Sequence, residues 1–193
     1  MTPLLSMLAG AKAFGLTAFK GLFEPTGAYD ALATITVGTA VSSVTFTGIP
    51  TGYKHLELRL ISRNTVVGDQ LFLQMNDDTG ANYARHELSG NGSTANAYAS
   101  TSQTSMFVAM QNHSSHTTGM FAPSVISILD YDSTSKNKTV CSLTGYDTNG
   151  SGIVALISGL WMNSTSAVTS IKFIQGNSGN FAQYSQFALY GVK

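Results

Sequence analysis

The sequence predicts an all-β chain: an antiparallel β-sandwich, jelly-roll-like, preceded by an apolar and partly helical N-terminal arm. Three observations predict it. From residue 29 onward, side chains alternate between apolar and polar with a period of two, as they do when successive residues of a strand point to opposite faces. Short β-branched and aromatic runs recur between turns rich in Gly, Asn, Asp and Ser. Charged residues make up only 10% of the 193 residues, against roughly 25% in ordinary soluble domains. Ser, Thr, Asn and Gly take their place, as on a surface that mostly faces other subunits or must withstand varied ionic conditions. The length suits one β domain with a sizeable core and an appendage. We therefore divide the chain into an arm, 1–28, and a sandwich, 29–193.

In the arm, Leu4, Leu5, Met7, Leu8, Phe14, Phe19, Leu22 and Phe23 supply the apolar bulk. Many of these recur at three- and four-residue steps, which gather them on one helical face. Pro3 suits a first turn, whereas Gly10, Gly15 and Gly21 weaken a long helix. Glu24-Pro-Thr-Gly closes the segment as a turn. Such a stripe either packs back on its own domain, frays, or is buried in a partner; the last makes these eight residues assembly contacts. The first charge, Lys12, follows the apolar part instead of preceding it, so a secretory leader is not expected. No apolar run reaches the ~18 residues of a membrane span.

The strands follow in order. Ala31–Val37 and Val41–Thr47 flank Gly38-Thr-Ala and read as a hairpin. In 54–63, Leu56, Leu58 and Leu60 alternate with Glu57, Arg59 and Ile61, the pattern of a half-buried antiparallel strand. Leu71, Leu73 and Met75 repeat it before the turn at Asn76–Gly80. Residues 89–105 hold almost no large apolar side chain and read as an exposed loop, with a second polar loop at 111–119. Met106–Met110, Phe121–Tyr131, Lys138–Tyr146 and Ile153–Trp161 are further strands. The C-terminal segments Val168–Ile174 and Phe181–Val192 alternate clearly, so the last strand belongs to the core. Strand order is not encoded in periodicity.

Candidate chemistry is sparse. Asn76–Gly80 lacks the alternating ligands of a calcium loop and reads as a turn closed by its own side chains. His113 and His116 are a pair without a third ligand, so no metal is expected. Cys141, the single cysteine, lies in a strand-like run and is expected in the core. Arg85 and Glu87 share a strand face and pair there. No nucleophile elbow, phosphate loop, dinucleotide fingerprint or paired carboxylates occur, so neither an enzyme nor a cofactor is expected. Net charge is zero, which leaves no footprint for nucleic acid or an anionic membrane. Tyr98, Tyr131, Tyr146, Trp161 and Tyr184 are the aromatics a sugar platform would need, but Trp161 sits in an apolar strand and is read as a core anchor.

Thr34-Ile-Thr-Val, Ser43-Val-Thr-Phe-Thr-Gly-Ile-Pro, Tyr53-Lys-His-Leu-Glu-Leu-Arg, Ser158-Gly-Leu-Trp, Ala167-Val-Thr-Ser-Ile and Tyr184-Ser-Gln-Phe-Ala-Leu-Tyr-Gly-Val-Lys occur in that order. This set resembles a group of β-sandwich virion proteins of tailed bacteriophages, especially those of aquatic bacteria and cyanobacteria. Residues 1–13 resemble the apolar leader often seen in that group. The resemblance implies a non-enzymatic virion protein: a tail fibre or tail/baseplate appendage, or else a capsid cement (head-decoration) protein. It also implies other virion proteins as partners. A homotrimer is the arrangement expected of such appendages, with the loops at 89–105 and 111–119 facing the host. A free carbohydrate-binding module that recognises host surface glycans is the alternative from another class.

Overall fold

The structure, a computed structural model, describes residues 27–193. Of the arm expected over 1–28, only Gly27 and Ala28 fall within it. Leu4, Leu5, Met7, Leu8, Phe14, Phe19, Leu22 and Phe23 lie outside the described residues.

The strands are β1 (Tyr29–Thr36), β2 (Ser43–Thr47), β3 (His55–Ser62), β4 (Gln70–Met75), β5 (Tyr83–Gly90) and β6 (Ala95–Gln103). The chain continues through β7 (Met106–Met110), β8 (Ala122–Leu129), β9 (Lys138–Asp147), β10 (Gly152–Trp161), β11 (Ser170–Gln175) and β12 (Gln186–Val192). They form two antiparallel sheets stacked as a sandwich. One has eight strands in the order β1-β12-β3-β8-β9-β10-β5-β6; the other has four, β2-β11-β4-β7. The C-terminal strand is locked between β1 and β3, pairing Ile35 with Phe187 on one side and Leu58 with Leu189 on the other.

The core lies between the sheets, where Leu56, Leu58 and Leu60 of β3 and Phe187 of β12 meet Leu71 and Leu73 of β4 and Phe173 of β11. The ring of Phe187 lies 5.3 Å from Phe173 and meets Phe181 edge-on at 4.9 Å. Trp161 is fully buried. Its indole N–H donates to Asp78 at 2.7 Å, and its ring stacks on Tyr83. Asp78 also accepts the Gly80 N–H and the Asn82 amide, so the acidic turn holds the tryptophan in place. These hydrogen bonds hold the Asp78 carboxyl below the usual carboxylate range, against the burial that would raise it. Burial pushes the Tyr83 phenol up to about 12.

Three expectations change. Residues 31–47 form no hairpin: β1 joins the large sheet and β2 the small one, because each buries its apolar face from the opposite side of one core. Residues 89–105 are not a loop. Most of them form β6, the outermost strand of the large sheet, where no second layer covers the residues and Ala, Ser and Thr suffice. The last strand starts at Gln186 instead of Phe181. Phe181 makes isolated bridges to Val41 and Asn64, and Tyr184 takes a left-handed conformation (φ 74°) that turns the chain.

The small sheet ends at β7, every residue of which is buried. An edge strand leaves backbone groups unpaired, a cost when they are buried. Here β9 supplies the partners. The Ser142 hydroxyl donates to the Val108 carbonyl at 2.6 Å. Thr144 accepts the Met110 N–H at 3.1 Å and donates to the Met110 carbonyl at 3.0 Å. The large sheet thus curls around β7 and sews its free edge shut.

Candidate interaction face

The titratable groups gather into structural clusters. His113 and His116 stack with ring centroids 3.7 Å apart, and His116 leans on Tyr146 at 4.8 Å. The Nδ1 of His116 faces the Asn112 amide at 3.2 Å and the His113 N–H at 3.4 Å, which occupies it as an acceptor. Burial, then the neighbouring His113 and Arg63, hold His116 below the usual imidazole value. Among the described residues no group of three or more His, Cys, Asp or Glu side chains is placed to hold a metal ion. The loop carrying this pair is pinned from below. The nearly buried Arg63 guanidinium donates to the carbonyls of His116, Thr117 and Met120 at 2.7–2.9 Å. Arg85 and Glu87 pair at 2.8 Å, and the Arg85 guanidinium lies 4.0 Å over the Phe107 ring. Arg63 ties side chain to backbone, whereas Arg85–Glu87 and His113–His116 join side chain to side chain.

The aromatics separate in the same way. Trp161 and Tyr131 are fully buried and cannot serve as a sugar platform. Tyr131 donates to the Pro50 carbonyl at 2.5 Å, and Tyr146 is half-buried against His116. Tyr98 and Tyr184 remain exposed, one on β6 and the other in the turn before β12.

One large feature lies outside these clusters. It is the outer face of the large sheet from β8 to β6, and it follows from an inversion in β9. The inward positions of β9 are Lys138, Val140, Ser142 and Thr144; the outward ones include Cys141 and Leu143. Polar side chains point in because they have work there: Ser142 and Thr144 close the β7 edge, and Lys138 donates to the carbonyls of Ser133, Lys136 and Asn163. Burial pulls the Lys138 ammonium below its usual value. Apolar side chains are left pointing out. Cys141, expected in the core, is exposed for this reason.

Register carries the inversion across the sheet. Val125 stands opposite Leu143, Leu143 opposite Leu156, Leu156 opposite Leu88, and Leu88 opposite Ala97. The four large members of this row are between 41% and 58% exposed. Below it runs Ser127, Cys141, Ser158, His86, Ala99; above it, Gly145, Val154, Gly90, Ala95. These three rows contain no Lys, Arg, Asp or Glu. At their upper end a groove of about 700 Å³ opens, lined by Phe121, Pro123, Val125, Leu143, Ile153 and Val154 among others. The only titratable side chains in these rows are His86 and Cys141, and the rest of the face can bury apolar surface against a matching surface. Sequence reading missed it because both faces of β10 are apolar and the polar face of β9 is the buried one.

No protein-family model matches this chain, and no curated protein and no solved structure was found similar to it.

Proposed function

We propose that this protein is a non-enzymatic structural component of a tailed-phage virion: a tail fibre or a tail/baseplate appendage. Residues 1–28 dock it, and the sandwich projects. The observation that carries this reading is the charge-free apolar face from β8 to β6, mounted on a rigid two-sheet core. A contiguous apolar face marks a protein contact. The strand order supports the same reading. Strands β1-β12-β3-β8 facing β2-β11-β4-β7 follow the order of a jelly roll, a fold used by viral capsid and lectin domains. The hairpins β5–β6 and β9–β10 are insertions that widen one sheet and build the face. The resemblance of residues 30–193 to phage β-sandwich proteins points the same way. In this reading the loop at 111–119, held by Arg63, is the host-facing candidate, and strand β6 replaces the second loop.

The copy number of this chain in purified particles, measured against the major capsid protein by quantitative mass spectrometry, tests the proposal. A few to some tens of copies supports a tail appendage. Hundreds would make it a capsid cement protein instead, and absence from particles would end the virion reading.

A further inference from the structure

The outer face from β8 to β6 has an occupant that its own composition selects. Three rows across five strands measure about 24 Å by 20 Å at ~4.8 Å per strand and ~3.4 Å per residue, on the order of 500 Å² of flat face. Side chains standing on it, together with the groove beside Phe121 and Ile153, bring it toward the roughly 800 Å² per partner of a standard interface. We propose that this face is covered by the same face of a second copy of the chain, related by a twofold axis. The inference rests on the reading above that the protein assembles, and it names the surface and the symmetry.

Two observations select a second copy. Three rows without Lys, Arg, Asp or Glu can meet themselves without burying an unpaired ion, whereas a partner bearing charges over the rows would leave them unmatched. The one carboxylate lining the groove, Asp147, stands exposed at the end of β9. A twofold axis brings each patch onto its own counterpart, but a threefold axis needs a second, complementary patch. Among the described residues, the exposed large apolar side chains away from this sheet, such as Val41, Val66, Val67, Met162 and Tyr184, lie on connections between strands. They form no comparable surface. The pairing therefore departs from the trimer that the family resemblance implies.

Cys141 makes the test direct, because the only thiol of the chain sits in the row next to Leu143. The reduced full-length protein is followed by sedimentation velocity over a dilution series, and the rate of Cys141 with a soluble thiol reagent is read on the same samples. The expected result is a dimer whose thiol reacts about tenfold or more slowly than that of the diluted monomer, following mass action. The double variant Leu143→Glu, Leu156→Glu stays folded by circular dichroism, since both side chains point outward, and it sediments as a monomer with a fast thiol. A wild-type chain that is monomeric throughout with a fast thiol would overturn the pairing. So would a trimer, or a double variant that still dimerises with a slow thiol. A slow thiol in a monomer would assign the cover to residues 1–26 and also overturn it. Failure here leaves the particle copy number untouched, and a protein absent from particles leaves the solution dimer untouched, so the two readings fall separately.

Discussion

The outer face of the large sheet is two surfaces. On the half formed by β1, β12 and β3, Arg59 pairs with Glu57 at 2.8 Å and lies over the rings of Tyr29 and Tyr190 at 5.6 and 5.4 Å. Tyr29 donates to Glu57 on the same face. On the inner side of these strands, where Tyr53 packs against Gly191, Lys193 pairs with Asp30 at 2.9 Å and Tyr53 donates to the same carboxylate. On the half from β8 to β6 the central rows hold no charge. Both halves belong to one sheet, and the difference between them begins in β9, whose polar side chains are turned inward to close the β7 edge. The first half shows what this chain builds where a sheet meets water: charges held in place that blunt the β1 edge against further pairing. The second half is what remains when that protection is left out over neighbouring strands. A low overall charge would thin the charges evenly; here they are sorted.

The largest effects come from below both surfaces. Leu58→Ala under the guarded half and Ile157→Ala under the apolar half each remove a buried side chain and should cost about 2–5 kcal/mol in urea unfolding. Leu156→Ala, the outward neighbour of Ile157, should change the stability of the dilute monomer by no more than about 0.5 kcal/mol. A loss at Leu156 as large as at Ile157 would mean that the face is core, and the contrast between the halves would collapse.

That pair also shows what could be read from the sequence. The inward set of β3 was legible because alternation is clean when one face is apolar and the other polar, and the Arg85–Glu87 pair because residues two apart share a strand face. Strand β6 was illegible because Ala, Ser, Thr and Asn carry no periodic signal. The Cys141 face was illegible for a deeper reason. Period two identifies two faces, and polarity is then used to decide which is buried. In β9 the buried hydroxyls of Ser142 and Thr144 serve a strand from the other sheet, a requirement set by tertiary structure alone. The strand order was equally beyond periodicity, since Gly38-Thr-Ala joins strands that part into different sheets.

A smaller effect comes from moving the boundary between the halves. Arg59 stands opposite Val125 in the register, so Arg59→Leu adds a further strand to the apolar row. Arg59 is exposed but its partner Glu57 is nearly buried, so its loss should cost the monomer about 1–2 kcal/mol, less than either core substitution. Self-association should strengthen and solubility fall, read as a shift of the sedimentation isotherm to lower concentration. An isotherm that does not move would show that the Arg59 charge plays no part in keeping the guarded half apart.

The smallest effect is one of pH, and it lies on the inner side of β1 and β12, beneath the guarded half. The hydrogen bond from Lys193 holds the Asp30 carboxyl below its ordinary range, with a further contribution from Tyr53 and some opposing desolvation. A carboxyl with a depressed folded-state pKa binds fewer protons folded than unfolded. It therefore adds stability above its unfolded value of about 4, and that stability is lost as pH falls through the folded value. Acid should thus loosen the tie between the C-terminal end of β12 and the start of β1, while the three apolar rows hold no carboxylate to respond. Carboxyl-carbon NMR titration of the full-length protein should give Asp30 a midpoint below the ordinary value, and Lys193→Met should move it back up. The difference in thermal midpoint between wild type and Lys193→Met should shrink as the pH is lowered and vanish once Asp30 is protonated in both. An ordinary midpoint in the wild type would mean that the pair does not form in solution. The tie between the start of β1 and the end of β12 would then rest on their backbone ladder alone, and the guarded face on the Arg59–Glu57 pair and its two tyrosines.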